Sequence, residues 1–325
     1  MSAQSETKQN QLGQALRESC PNLAGLVVQK NGKVAYEQYE NGCTAQSPVH
    51  IYSVTKSIVS ILMGIAIDHG FIEGPQQKVL DFFPGFVPPA GETALQQLTL
   101  EHLLTMTAPY RFEEEPYLDY FTSTDWVAFS LAALGGPGKP GDFHYAALVG
   151  PDLLTGILQR ATGRPVLDFA TQYLFAPLGI QVKETITFQS AEEQMAFNSA
   201  TDRSGWVADD AGTHAGGWGL TLAPRDLAKL GQLYLAGGAW QGKQLVPRQW
   251  VAESTRMHSH FGDLSYGYLW WVIDEKVGSF AAMGDGGNLL YCVPQKGLVV
   301  ALTALFEPNV PERIGLIQRL VEPLF

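Results

Sequence analysis

Cysteine, basic charge and long apolar runs are all scarce in this chain, and each shortage excludes a class of function. Three cysteines, Cys20, Cys43 and Cys292, occur in 325 residues. They are odd in number and widely spaced, with no metal-type pairing, so a disulfide framework is excluded and free thiols in a reducing compartment are expected. Lys and Arg number 21 against 32 Asp and Glu, for a net charge of −11. The basic residues are scattered, which disfavours nucleic acid or an anionic membrane as a partner. No apolar run reaches the roughly 18 residues of a membrane span. The seven histidines are isolated, none in a metal-ligand spacing, and no cofactor is expected. The opening residues, MSAQSETKQNQLGQAL, show neither a basic n-region nor an apolar h-region, so no signal peptide is expected and the expected location is cytoplasmic.

What is present is a large apolar complement, 46% hydrophobic against 16% charged, enough to build one big domain or two lobes. The stretch His50–Gly70, HIYSVTKSIVSILMGIAIDHG, is the centre of the chain. Polar Ser53, Thr55, Lys56 and Ser57 open it, and Ile58 to Ile67 follow with almost no polar face, which predicts a helix buried nearly all round. Gly70 is placed to end it. Lys56 is the anomaly, because stripping water from an ammonium is costly. Ser53 lies three residues earlier and shares its helix face. Two readings stand at this point. Ser53 is a helix cap and Lys56 snorkels to a surface, or the pair is a serine nucleophile activated by a desolvated lysine. Ser-x-x-Lys alone does not decide, since Ser5 and Lys8 repeat it in the polar N-terminal tail, where residues 1–10 are expected to fray.

Along the chain, Gln11–Ser19 reads as a short helix. Leu23–Gln29 and Lys33–Tyr39 flank Asn31-Gly32, a hairpin signal. Thr99 reads as the cap of a short helix. Residues 110–125, acidic and aromatic, read as a long loop that rims a site or is simply solvated. Helices are expected over Asp125–Leu134, Asp152–Ala161, Val166–Leu174, Arg225–Leu235, Pro247–Arg256 and Pro311–Phe325, and strands over Tyr266–Ile273, Asn288–Val293 and Leu298–Phe306. Strands at both ends with helices between them predict an α+β fold. One lobe comprises residues 1–50 and 205–325, and a mostly helical lobe comprises residues 51–204.

Four separated stretches resemble the serine β-lactamase-like hydrolases: Ser53-Val-Thr-Lys56, Tyr145 after a Pro/Gly turn, the Gly216-Gly217 entry to a helix, and Gly284-Asp285-Gly286-Gly287 before a strand. Their order, with the context YSVTKS, LLTM, PLGI and RDLAKLGQLYL, is similar to the class C type, which includes esterases and 6-aminohexanoate-dimer hydrolases. The resemblance runs from about residue 23 to the C-terminus. It implies a β-lactamase/transpeptidase-like fold, an antiparallel sheet flanked by helices with an inserted helical lobe. It implies Ser53 as nucleophile, Lys56 as general base and Tyr145 as proton relay. The backbone N–H groups of Ser53 and Asn288 would form the oxyanion hole, and Asp285, Gly286, Gly287 and Trp218 would meet substrate. On residue type alone, Tyr145 also reads as a core tyrosine and Asp285 as a turn residue bonding its own backbone; His144 reads as a packing neighbour.

Two positions depart from the family pattern. Ala147 stands where an asparagine often follows the tyrosine, and Asp285 stands where a lysine or histidine often greets a substrate carboxylate. Both point away from β-lactamase or D-aminopeptidase action and towards a small neutral ester or amide as the partner, with the acidic run Glu113–Glu115 adding negative charge if it rims the mouth. A non-catalytic sensor or binding domain of the same fold is the rival from another class. The oligomeric state is not legible.

Overall fold

The computed structural model describes residues 3–311 and 313–325. Helix α1 (Ala3–Ser19) opens it, starting ahead of the expected Gln11; of the tail expected to fray, Met1 and Ser2 lie outside the described residues. Strands β1 (Leu23–Lys30) and β2 (Lys33–Tyr39) follow. Asn31 and Gly32 join them with φ of 52° and 75°, the positive pair that a two-residue turn needs to match strand twist.

The other strands of the sheet come late in the chain. They are β3 (Ser259–Phe261), β4 (Leu264–Tyr266), β5 (Trp271–Asp274), β6 (Ser279–Gly284), β7 (Asn288–Val293) and β8 (Leu298–Ala304). With β1 and β2 they form an eight-stranded sheet in the order β2-β1-β8-β7-β6-β5-β4-β3. Every neighbouring pair is antiparallel. The first and last parts of the chain therefore pair within the sheet, one strand in from its edge, with Leu26 opposite Leu302 and Val28 opposite Val300.

Four further helices matter for the site: α2 (Val54–Asp68), α3 (Val149–Thr162), α4 (Pro224–Leu235) and α5 (Ile314–Leu320). Side chains alternate across each strand, and both faces are covered. Leu289, Tyr291, Val300 and Leu302 pack under α1 and α5. Leu290, Cys292, Val299 and Ala301 face the other way, into a core shared with α2, α3 and α4. Two covered faces explain why β7 and β8 read as unbroken apolar runs rather than alternating ones. All residues of α2 from Val54 to Ala66 are buried, and each aliphatic side chain so enclosed adds roughly 1.5–3 kcal/mol. The helix is thus a rigid wall between the sheet and α3.

The α+β architecture expected from the sequence, an antiparallel sheet flanked by helices, is the one observed. One expected strand is different. Tyr266–Ile273 is broken into β4 and β5, because Leu269 adopts φ of 59° and the amides of Tyr268 and Leu269 donate to Ser254 and Leu104 rather than to a ladder. Ser57 Oγ then donates to the Leu269 carbonyl at 2.6 Å, which ties this turn to α2. All three cysteines are buried and unpaired. No helix among the described residues is long and apolar enough to cross a membrane.

Candidate active site

The site begins at the turn before α2. Ile51 N donates to the Leu220 carbonyl, and the amides of Val54 and Thr55 close back on Ile51 and Tyr52. Tyr52 takes φ of 49°, a backbone state that costs a bulky residue roughly 1–3 kcal/mol. Its ring is held between His50, centroids 3.8 Å apart, and Phe306, stacked at 5.4 Å. This strained turn delivers Ser53, half-buried, to the N-cap of α2. Its side chain caps no helix amide, which removes the plain capping reading and leaves the hydroxyl for other work.

Lys56 is 2% exposed, inside the first turn of α2. Its Nζ donates to Ser53 Oγ at 2.7 Å and to the Gly217 carbonyl at 3.0 Å. It does not snorkel, and no carboxylate lies within ion-pair distance of it among the described residues. Burial lowers its pKa to about 8, while Asp285, Glu115 and Asp152 push from further off in the opposite direction. A neutral amine here keeps an N–H for Gly217 and turns its lone pair to the Ser53 hydroxyl. With Ala147 at the position of the usual asparagine, the Gly217 carbonyl is what holds the lysine.

Tyr145 closes the third side. Its ring lies 5.6 Å from Lys56 Nζ and stacks on Trp271 at 5.9 Å. Burial, reinforced by Asp285, pushes the phenol far above its ordinary value, with the Ser53 side chain pulling weakly the other way. The phenol therefore holds its proton more firmly than the Lys56 ammonium does. His144 packs edge-on against Tyr110 and Phe112.

Ser53, Tyr145, Asp285, Gly286, Gly287 and Asn288 all line one cavity of about 720 Å³, whose outer walls include Phe261, Trp271 and Phe306. Asp285 is exposed within it, and its carboxylate takes no hydrogen bond from its own turn among the described residues. The Asn288 side chain is used to hold the loop: Nδ2 donates to the Asp285 carbonyl at 2.8 Å, and Oδ1 accepts from Ala304 N at 3.0 Å. Gly286 and Gly287 carry φ of 73° and 87°, so the loop needs residues without a Cβ penalty.

One expectation is corrected by this geometry, and one open alternative is decided. Trp218 is turned inward, 6% exposed, packed against Trp126 and Phe121, and is not part of the cavity wall; its large ring is more stable in that aromatic cluster than against water. The acidic run 113–115 does not rim the cavity. Glu115 accepts from the amides of Ala147, Leu148 and Val149 at 2.7–3.0 Å, which caps the positive end of α3. The acids that line the cavity are Asp285 and Glu307.

The sequence reading missed the layer beneath Lys56. Asp152 is fully buried in α3, accepting from Gly216 N at 2.7 Å and from the Tyr120 hydroxyl at 2.6 Å. The available signal was an acid among apolar neighbours in VGPDLLTGIL, a carboxylate that a buried helix face cannot hold without partners. No cluster of His, Cys, Asp and Glu suited to a metal ion is found among the described residues.

A family model described as Beta-lactamase matches residues 14–321. Over 334 aligned residues, covering 95% of this chain and 79% of the relative, the sequence is 25% identical to the 6-aminohexanoate-dimer hydrolase of Paenarthrobacter ureafaciens. A family VIII carboxylesterase structure is similar with a TM-score of 0.71 at 18% identity, covering 99% of this chain and 97% of the other. A penicillin-binding protein homologue from Caulobacter crescentus is similar with a TM-score of 0.67 at 16% identity, covering 93% and 92%. At such identities the structural likeness speaks for the fold.

Proposed function

From the premise that the chain belongs to the beta-lactamase family and is a serine hydrolase of that fold, we propose that it cleaves small esters or amides through an acyl-enzyme on Ser53. The observation that carries this reading is Lys56 Nζ, buried without a carboxylate partner and 2.7 Å from Ser53 Oγ. Lys56 takes the hydroxyl proton as Ser53 Oγ bonds to the substrate carbonyl carbon. The carbonyl oxygen becomes an oxyanion facing the N–H groups of Ser53 and Asn288, the first of them at the positive end of α2. As the carbonyl bond to the departing alcohol or amine breaks, Tyr145 gives that group its proton and takes the one now on Lys56, so the phenol is restored and the amine is neutral again. Water then attacks the ester on Ser53 and gives a proton to Lys56, which returns it to Ser53 Oγ as the acyl bond breaks and the acid leaves.

Substrate preference follows from the walls. Phe261, Trp271 and Phe306 offer apolar surface to an acyl or alcohol group. Asp285 places a negative charge where a substrate carboxylate would otherwise be received, which supports esters and small amides over β-lactams and peptide ends. The 6-aminohexanoate-dimer hydrolase likeness is consistent with amide as well as ester cleavage. The three unpaired thiols fit a reducing compartment, and we place the protein in the cytoplasm.

The test is chemical. A fluorophosphonate should label the protein once, on the peptide carrying Ser53, and a panel of p-nitrophenyl esters, aminoacyl amides and a chromogenic cephalosporin should rank esters or amides first. Label on another serine, or no turnover of any of the three classes, rejects the proposal.

A further inference from the structure

We infer that Asp152 is a positioning residue for Lys56: from inside α3 it fixes the Gly216–Gly217 strap whose carbonyl holds the lysine amine. The inference rests on Lys56 as the base and goes beyond it, because Asp152 touches neither Ser53 nor the cavity.

The strap has nowhere else to lie. A Cβ on Gly216 would stand 2.1 Å from the Pro151 carbonyl oxygen, and one on Gly217 would stand 2.2 Å from that of Ala147. Both residues are pressed flat on the first turn of α3. Glu115 grips that same turn through its three amides. Asp152 grips the strap twice. Its Oδ1 accepts from Gly216 N. Its Oδ2 accepts from the Tyr120 hydroxyl, which in turn accepts from Trp218 Nε1 at 3.2 Å. The peptide between these two anchors contains the Gly217 carbonyl that receives Lys56 Nζ at 3.0 Å. Holding that oxygen still keeps the amine aimed at Ser53, whose oxygen is 2.7 Å away. This also gives Trp218 its role: it locks the strap from behind.

Charge adds a second link. The groups facing Lys56 are Ser53, Tyr145, Asp285, Glu115 and Asp152. The last three are anions that favour the protonated amine against the effect of burial. Burial raises the Asp152 carboxyl to about 7; the Tyr120 and Gly216 hydrogen bonds work against that rise, and Glu115 and Asp209 add to it. Removing the carboxylate charge makes the amine easier to deprotonate, so the base form should persist to lower pH.

The experiment follows the rate of Ser53 phosphonylation by a fluorophosphonate against pH, in the full chain, for wild type, Asp152→Asn and Asp152→Ala. Asparagine keeps an oxygen for Gly216 N, while its amide replaces the oxygen that accepts the Tyr120 O–H, so it removes the charge and leaves the Gly216 anchor in place. The wild-type rate should rise through a midpoint near pH 8. In Asp152→Asn the midpoint should fall by about half a unit or more, as expected on losing a nearby charge, with the high-pH plateau within about threefold of wild type. In Asp152→Ala the strap loses both anchors, and the plateau should drop by about tenfold or more, as for a misaligned catalytic group. An Asp152→Asn profile that superposes on the wild type overturns the inference, and so does an unchanged plateau in a folded Asp152→Ala. If Asp152→Ala does not fold, the asparagine profile decides alone. A wild-type profile with no midpoint near pH 8 is a distinct result, since it removes Lys56 as the base and the inference with it.

Discussion

Gly284 and Ser53 approach so closely that a Cβ on Gly284 would stand 3.1 Å from Ser53 N and 2.4 Å from the Ile51 carbonyl oxygen. The contact brings the end of β6 against the turn before α2 and so joins the two halves of the proposed oxyanion hole. Gly284 has φ of −141°, which any residue adopts, so space and not backbone freedom demands glycine here. Gly284→Ala should push the strand from the turn and lower kcat by roughly 10²–10³, the usual loss when one oxyanion donor is removed. Steady-state kinetics on a p-nitrophenyl ester checks this, and a kcat within about twofold of wild type, against the usual loss of an oxyanion donor, would show that the junction tolerates the methyl group.

Lys56 is expected to set the acid limb of the pH profile. Its folded pKa is lowered from 10.5 to about 8, so the amine is protonated and inactive below that pH and neutral above it. The expected kcat/KM rises tenfold per unit on the acid side and bends near pH 8. Lys56→Arg should be nearly inactive at every accessible pH, because guanidinium stays charged. An arginine variant with substantial turnover would exclude the general-base role.

Tyr145→Phe removes the proposed relay but keeps the ring on Trp271. Acylation should slow by roughly 10²–10⁴, read as single-turnover release of nitrophenol, while the thermal midpoint changes little. Unchanged acylation would leave Tyr145 as a packing residue.

Asp285 is expected to select against negative charge. At about 4–6 Å in a partly dry cleft a like charge costs roughly 1–3 kcal/mol, or about tenfold to a hundredfold in affinity. Glu307 adds a weaker repulsion at the mouth. Arg313 borders the same cavity, but its Nη groups donate to the Ser19 carbonyl and Asn22 Oδ1, so it does not offset Asp285 with a free fork. For a matched neutral and anionic ester, Asp285→Asn should narrow the kcat/KM gap and Asp285→Lys should narrow it further. Equal losses on both substrates would mean that the carboxylate shapes the loop and does not choose charge.

His50 links stability to acid. It is 2% exposed, accepts at Nε2 from Gly219 N at 2.9 Å and meets Asn198 Oδ1 through Nδ1 at 3.2 Å, so the neutral ring with its proton on Nδ1 fits both partners. Burial lowers its pKa from 6.5 to about 3, and His214 falls to about 4 for the same reason. The unfolded chain takes up these protons first. Stability from both groups is therefore complete above pH 6.5 and is lost as pH falls towards 3. Denaturant midpoints measured between pH 7 and pH 4 should decline, and His50→Gln should flatten part of that slope. A midpoint independent of pH over that range would contradict the assignment.

What the sequence by itself determined is the part encoded within a few residues. Ser53 and Lys56 share a helix face because they are three apart, α2 is buried because it has no polar side, and Asn31-Gly32 turns because its residues accept positive φ. Pro224 and Thr99 likewise mark helix starts that the fold uses. The polar helix Ala191–Asn198 escaped notice because it has no apolar period to announce it. Only the tertiary structure decided what surrounds the serine. The Gly217 carbonyl reaches Lys56 across 161 residues, Asp152 takes its place beneath that strap, and Gly284 is pressed against the turn of Ser53. Trp218 faces the core, although its neighbours in sequence face the lysine. Such contacts depend on how buried faces pack and which polar groups find partners once water is gone, and no local pattern of residue types specifies that.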